Sequence, residues 1–317
     1  MRLVVGLGGN ALLRRGEAPA AETQRRNIEK AVAVGVARLA RHELVVTHGN
    51  GPQIGLLALQ SVSLAASFPA AKPYPLDLLG AESEGMIGYL IALALMNALP
   101  RREIATLLTE IEVDPGDPAF RSPKKPIGPL LDEAEAQRVA ASKGWKMMRD
   151  GSGWRRAVSS PMPRRIRQIR PIELLLGAGV IVVCAGGGGI PIAAGKGGGF
   201  YGIEAVIDKD FASALLAETL NADFLLLLTD VRAVWSRWPA ADGKPIGRTT
   251  PSELSSIAFA EGSMGPKVEA ACRFVERTGK KAAIGAVEEA EAILEGAAGT
   301  LVEKLRKASP RPRMGRS

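Results

Sequence analysis

Two cysteines occur in 317 residues, Cys184 and Cys272, and neither has a second Cys or His at metal-ligand spacing. That excludes a disulfide framework and a zinc site, and makes a reducing cytoplasm the default setting. Aromatic residues are 4% of the chain and none falls in the basic C-terminal end, so the stacking surfaces of a single-strand nucleic-acid binder are missing. No apolar stretch reads as approaching the ~20 residues that a membrane span requires. A strand pattern begins almost at Met1, with no visible address segment. The phosphate loop G-x-x-x-x-G-K-[ST] is absent, since Gly197 follows Lys196 and position 190 is Ile. The segment "GLGGNA" satisfies the loose dinucleotide pattern G-x-G-x-x-A, but the second strand ends in "VVTHGNGPQ" without the acidic residue that ribose hydroxyls call for.

What is present begins with charge. The formal net charge of +8 is concentrated at one end: residues 304–317 hold six Lys or Arg and no Asp or Glu, leaving 35 basic against 33 acidic residues elsewhere. A Pro- and Arg-rich solvated tail explains this better than a nucleic-acid or lipid contact. The body is nearly neutral and, at 46% hydrophobic, rich enough to bury a large core.

Apolar runs alternate with amphipathic stretches. Strand patterns at residues 3–7 and 44–47, "IATLLTEIEV", "VIVVCAGGGG", "FLLLLTDV" and "AAIGAV" are separated by helical patterns near residues 23–41, 51–60, 78–99, 211–220 and 267–278. The order predicts an α/β fold, a three-layer αβα sandwich around a mainly parallel open sheet whose strands are buried on both faces. Between about residues 114 and 163 the pattern changes to clustered prolines, one helix and "GWKMMRDGSGWRRAV", which reads as a small subdomain projecting over the ligand edge of the sheet.

Three glycine turns follow strands: Gly8-Gly9-Asn10, Gly49-Asn50-Gly51 and Gly186 to Gly189. Glycine lets backbone N–H groups approach a tetrahedral anion closely, and three such turns on one sheet edge point to phosphate. Phosphoryl transfer also needs positive charge around the moving group. Lys209 in "AVIDKDFAS" and Lys267 in "GSMGPK" both open helices, where the dipole disfavours a cation unless an anion shares the site. Lys125 lies in "KKPIGP" within the projecting segment, and Asp208 and Asp210 flank Lys209. His48, before the second glycine turn, reads as a structural hydrogen-bond partner of the backbone rather than a proton carrier.

The segments "GLGGNAL", "VVTHGNGPQIGLL", "PLDLLGAESEGMIGYLI", "VDPGDPAF", "KKPIGP", "GWRRAVSSPMP", "VIVVCAGGGGIPI", "IEAVIDKDFASALLAETLNAD", "LLTDV" and "GSMGPKVEAA" closely resemble the carbamate kinases of the amino acid kinase superfamily, in order and over nearly all of the chain before the tail. The resemblance implies reversible phosphoryl transfer between carbamoyl phosphate and MgADP, giving ATP and carbamate, in a cytoplasmic homodimer without nucleic-acid or membrane partners. It implies one domain over residues 1–303, with an acceptor lobe to about 205 that includes the projecting subdomain over about 114–163, and a nucleotide lobe from about 206; the basic tail, residues 304–317, lies outside the resemblance and reads as disordered from its composition. Substrate would meet Gly8, Gly9, Asn10, Gly49, Asn50 and Asp208. Lys125, Lys209, Asp210 and Lys267 would be catalytic. Thr229, Asp230, Val231 and Met264 would serve the nucleotide, and Mg2+ would be held through nucleotide phosphates rather than by protein ligands. Many superfamily kinases have a lysine two residues before the paired glycines; here that position is Gly6, and Lys209 would supply the missing cation. Gly6 also replaces the more usual Ala, and Arg232 stands where Asp is common. The alternatives are a kinase of the same fold acting on another small carboxylate or phosphonate, and a non-catalytic sensor of nucleotide or carbamoyl phosphate.

Overall fold

The computed structural model describes the chain except residues 14–16, 18, 19, 69, 238–242, 260–263 and 305–317 and the side chains of residues 10 and 11; nearly all of the basic tail therefore lies outside the described residues. Eight strands form one sheet in the order Arg248–Thr249, Thr300–Val302, Lys281–Ala286, Phe224–Thr229, Arg2–Leu7, Glu43–His48, Ile181–Val183 and Ile104–Thr106. Its one antiparallel junction is between Lys281–Ala286 and Thr300–Val302.

The central strands are mostly apolar and buried at nearly every position because helices cover both faces. Alternation sorts the residues: Val4, Val45, Val182 and Leu225 face Ile172, Leu216 and Phe274 of one helical layer. Leu3, Val5, Val46 and Leu226 face Ile28, Ile87 and Ile293 of the other. Because these strands run parallel, their carboxyl ends share one edge, and the three glycine turns emerge there together.

Two sequence expectations change. The run "IATLLTEIEV" divides into Ile104–Thr106, in the main sheet, and Glu110–Val113, in a four-stranded sheet with Phe200–Gly202, Ile190–Ala194 and Pro163–Ile166. The break falls at Thr109, whose buried hydroxyl accepts from the Ala185 N–H at 2.9 Å and so ends strand pairing there. Second, the helix Leu76–Ala98 is long and apolar enough, by length and composition, to cross a membrane, contrary to the reading that no stretch approaches that length. Acidic residues and glycines near its start disguise the run. Half of its apolar window is buried within the fold, where Ile87, Ile91 and Leu95 fill the core.

The projecting segment contains a separate antiparallel sheet of Lys125–Leu131, Gly153–Val158 and Met147–Asp150. It carries the helix Glu133–Lys143, started by the Asp132 carboxylate accepting from the Glu135 N–H at 2.8 Å and ended by Gly144 at φ 66°. This sheet sits on the helix Gly51–Ser67 through bare backbone: a methyl group on Gly55 would overlap the Cα of Gly128. Arg156 adds a second tie, stacking 4.2 Å over Trp145 and reaching Glu204 at 3.3 Å.

Gly55→Ala is expected to lower stability by about 1–3 kcal/mol through overpacking, read as a lower urea midpoint. Gly80→Ala, in a helix with no heavy atom within 4 Å of the added methyl, is expected to be neutral or stabilising by up to about 1 kcal/mol. Equal midpoints for the two variants would show that the glycine contact does not seat the subdomain.

Candidate active site

Asp210 is the second residue of the helix Lys209–Thr219 and is 3% exposed. Its Oδ1 accepts from Lys209 Nζ at 2.5 Å and its Oδ2 from Lys267 Nζ at 3.0 Å. One carboxylate thus joins two ammonium groups carried by the neighbouring helices Lys209–Thr219 and Met264–Thr278. Asp208, the residue before the first helix, works in both directions: Oδ1 accepts from the Asp210 N–H at 2.9 Å, and Oδ2 accepts from Lys125 Nζ at 2.6 Å. Lys125 comes from the projecting sheet, so this ion pair closes the subdomain over the main sheet edge.

These residues line one cleft with Gly9, Gly49, Asn50, Gly51, Pro52, Gly187, Thr229 and Pro266. The helices Gly51–Ser67, Lys209–Thr219 and Met264–Thr278 all bring their N-terminal turns to it, adding their dipoles to the side-chain cations. Four cations, Lys125, Arg155, Lys209 and Lys267, face three carboxylates, Asp150, Asp208 and Asp210, leaving net positive charge for an anion.

Titration behaviour follows from this packing. Burial works against ionised Asp210, yet the two ammonium groups hold it well below the usual carboxylate range. Burial lowers the Lys209 pKa, with Lys267 adding to the effect and Asp210 opposing it. For Lys267 burial also acts downward, but the charge and hydrogen bond of Asp210, with Asp208 and Asp230 nearby, leave its pKa raised.

The glycine turns interlock. Gly49 donates to Leu7 O at 2.9 Å, and a Cβ at Gly49 would come within 2.8 Å of the Gly9 nitrogen. Gly8 donates to Leu228 O at 2.8 Å, fixing the first turn against the strand that ends at Thr229. Asn50 is buried and gives its Nδ2 to Ser83 Oγ at 2.8 Å; a methyl on Gly187 would overlap that amide. The side chain of Asn10 lies outside the described residues. Gly6 has Thr47 Oγ1 and Ser213 Oγ each 3.3 Å from where a Cβ would stand.

Of the residues expected to serve the nucleotide, Thr229 is buried in the cleft wall and donates to Asp230 Oδ1 at 3.0 Å. Asp230 is exposed, Val231 and Met264 are part-exposed, and these three are not among the residues lining the cleft. Arg232 is 87% exposed in its side chain and stands 3.9 Å from Glu289. His48 is fully buried, with Nδ1 3.3 Å from Gly49 O, and burial lowers its pKa to about 4, so it is neutral.

Sequence reading passed over four contributors. Asp150 and Arg155, an ion pair at 3.3 Å, reach the cleft from the projecting sheet. Thr109 and Glu84 lie behind it, with Glu84 Oε1 accepting from the Gly186 N–H at 2.9 Å. Glu84 carried a usable signal: it falls in register with Gly80, Ile87 and Ile91 on the buried stripe of its helix, where a carboxylate needs a partner.

The chain matches the amino acid kinase family over residues 1–286. It is 51% identical over 305 residues to the carbamate kinase of Rhizobium meliloti (strain 1021), covering 95% of this chain and 93% of that protein. Among solved structures it resembles the carbamate kinase from Giardia lamblia bound to citric acid, with a TM-score of 0.89 and 37% identity over 96% of this chain and 98% of the other. The Giardia lamblia enzyme bound to AMP-PNP gives a TM-score of 0.84 and 38% identity, with 96% and 98% covered.

Replacing Asp210 by Asn removes the charge that favours both ammonium groups. A cation that loses its counter-charge releases its proton at lower pH, so the Lys267 pKa should fall from its raised position and that of Lys209 should fall further. Side-chain NMR titration of carbon-13-labelled lysines reads this directly; unchanged titrations would show that Asp210 does not govern the pair.

Proposed function

The chain belongs to the carbamate kinases of the amino acid kinase family, and we propose that its cleft carries out their reaction, reversible phosphoryl transfer between carbamoyl phosphate and ADP that gives ATP and carbamate. An oxygen of the ADP β-phosphate attacks phosphorus, the bond from phosphorus to the carbamoyl oxygen breaks, and carbamate leaves with that electron pair. No proton need move in this step, and no covalent enzyme intermediate is formed. Carbamate then breaks down to ammonia and carbon dioxide.

The carrying observation is the pair of buried ammonium groups on Asp210. Charge spreads over the equatorial oxygens of the moving group, and Lys209 and Lys267 are the cations assigned to it. Each still has two N–H donors beyond its bond to Asp210. Lys125 is assigned to the carbamoyl end, exchanging Asp208 for substrate. Gly8, Gly9, Asn10, Gly49 and Asn50 are assigned to hold the acceptor side, and Thr229, Asp230, Val231 and Met264 the nucleotide. With no lysine at position 6, Lys209 is the residue that supplies charge at the bridging phosphoryl group.

Magnesium enters with the nucleotide in this reading. Among the described residues no group of three His, Cys, Asp or Glu side chains could hold a metal ion, and the cleft carboxylates are already engaged by cations. That donor set fits an ion kept by phosphate oxygens and water, which Mg2+ prefers. Its role would be to neutralise charge on the nucleotide phosphates. Residues 1–205 form the acceptor lobe and 206–303 the nucleotide lobe in the same reading, and the widely separated free thiols of Cys184 and Cys272 support a cytoplasmic setting.

A homodimer is supported by the long helix Leu76–Ala98, which leaves Leu78, Met86, Tyr89 and Met96 exposed at one-face spacing. Tyr89→Glu is expected to halve the mass seen by sedimentation; a wild-type chain that is already monomeric would refute the pairing.

Purified protein should produce ATP from carbamoyl phosphate and MgADP in a coupled assay, and its failure would overturn the proposal. Lys209→Ala and Lys267→Ala should each lower kcat by about 10²–10³-fold, while the KM for MgADP changes by no more than about threefold. Equal losses in both would assign these lysines to ground-state anchoring.

A further inference from the structure

The turn that follows the Ile181–Val183 strand is held in an unfavourable backbone shape. Positive φ occurs at Ala185 (49°), Gly187 (68°), Gly188 (100°) and Gly189 (80°). For Ala185 the left-handed conformation costs about 1–2 kcal/mol, and such geometry persists only where the surroundings over-determine it. Gly187, two residues beyond the strained Ala185, lines the cleft beside Asn50, so the turn that carries the strain also forms part of the cleft wall.

The restraint comes from behind. Glu84 is 1% exposed and accepts from the Gly186 N–H at 2.9 Å and the Thr109 N–H at 3.3 Å. Thr109 in turn accepts from Ala185 N–H through its hydroxyl and from Ile190 N–H at 2.8 Å through its carbonyl. Both ends of the turn are therefore anchored to one buried carboxyl and the threonine beside it. Burial pushes the Glu84 pKa up to about 8, against the pull of the two N–H groups. Among the described residues Glu84 forms no ion pair, and its carboxyl serves as a hydrogen-bond anchor rather than a charge partner. The adjacent residue, Ser83, holds Asn50, so one turn of the Leu76–Ala98 helix braces two walls of the cleft.

We propose that Glu84 is a positioning residue for carbamoyl phosphate: through Gly186 and Thr109 it fixes the strained turn so that Gly187 and Asn50 present a single shape to the substrate. The inference rests on the carbamate kinase reading of the cleft and adds a residue that touches neither substrate nor nucleotide.

Steady-state kinetics in the ATP-forming direction test it. Glu84→Ala leaves two buried donors without an acceptor and should raise the KM for carbamoyl phosphate about tenfold or more, with the KM for MgADP within about twofold. Glu84→Gln keeps a carbonyl for Gly186 and should recover most of the loss. Thr109→Val removes the acceptor for Ala185, should act in the same direction, and carries the test where Glu84→Ala does not fold. A wild-type KM for carbamoyl phosphate in Glu84→Ala or Thr109→Val, or a parallel rise in both KM values, would overturn the positioning role alone. No ATP from the wild-type chain would bring down the functional reading and this role together.

Discussion

A single buried carboxylate governs the arrangement of this cleft. Two unit charges ~5 Å apart at an effective dielectric of about 20 interact by about 3 kcal/mol, so two ammonium groups brought together without a counter-ion would drive their helices apart. Asp210 turns that repulsion into a bridge by giving one oxygen to each. The rest of the fold is arranged to keep it there. Ser213, one turn along the same helix, donates to Lys209 O at 2.6 Å and meets Thr47 Oγ1 at 2.6 Å, tying the helix to a central strand. A methyl at Gly6 would stand 3.3 Å from each of these hydroxyls and 3.1 Å from Leu227 Cδ2, a tight fit that those side chains would have to relieve.

The two lysines are not equivalent, and their asymmetry suits a reversible transfer. Lys267 is held firmly protonated by several carboxylates, whereas burial and the neighbouring Lys267 charge leave the Lys209 proton held less tightly than a surface lysine's. In the proposed reaction, a phosphoryl group between them would compensate the weaker of the two. Lys125 repeats the principle at longer range, paired with Asp208. In the proposed reaction these carboxylates would stand in for substrate oxygens and keep the cations oriented before a ligand binds.

Much of the architecture is legible because the buried parallel strands are mostly apolar and three of them run into glycine turns. Lys209, Lys267, Asp208 and Asp210 could be singled out because cations at helix starts contradict the dipole unless an anion is near. The site's support was harder to see. Glu84 looked like one more acidic residue in "GAESEGM", and only its phase relative to Ile87 and Ile91 separates it from the exposed Glu82. The Asp150–Arg155 pair depends on strand register within the projecting sheet, which residue type does not encode. The run through Thr109 read as one strand because its apolar content is continuous; the change of sheet is imposed by a hydroxyl bonding to a backbone more than seventy residues away in sequence.

The contact between Gly55 and Gly128 sets how this enzyme can vary. Where two peptide backbones touch without side chains, the smallest possible adjustment is a whole methyl group, so the tilt of the insertion is fixed in coarse steps rather than tuned. The exposed hairpin tip at Gly151 and Ser152 has no such restriction, so its length and charge can change while the seat stays still. Reach over the cleft is thus adjustable at the far end of a lever whose pivot does not move.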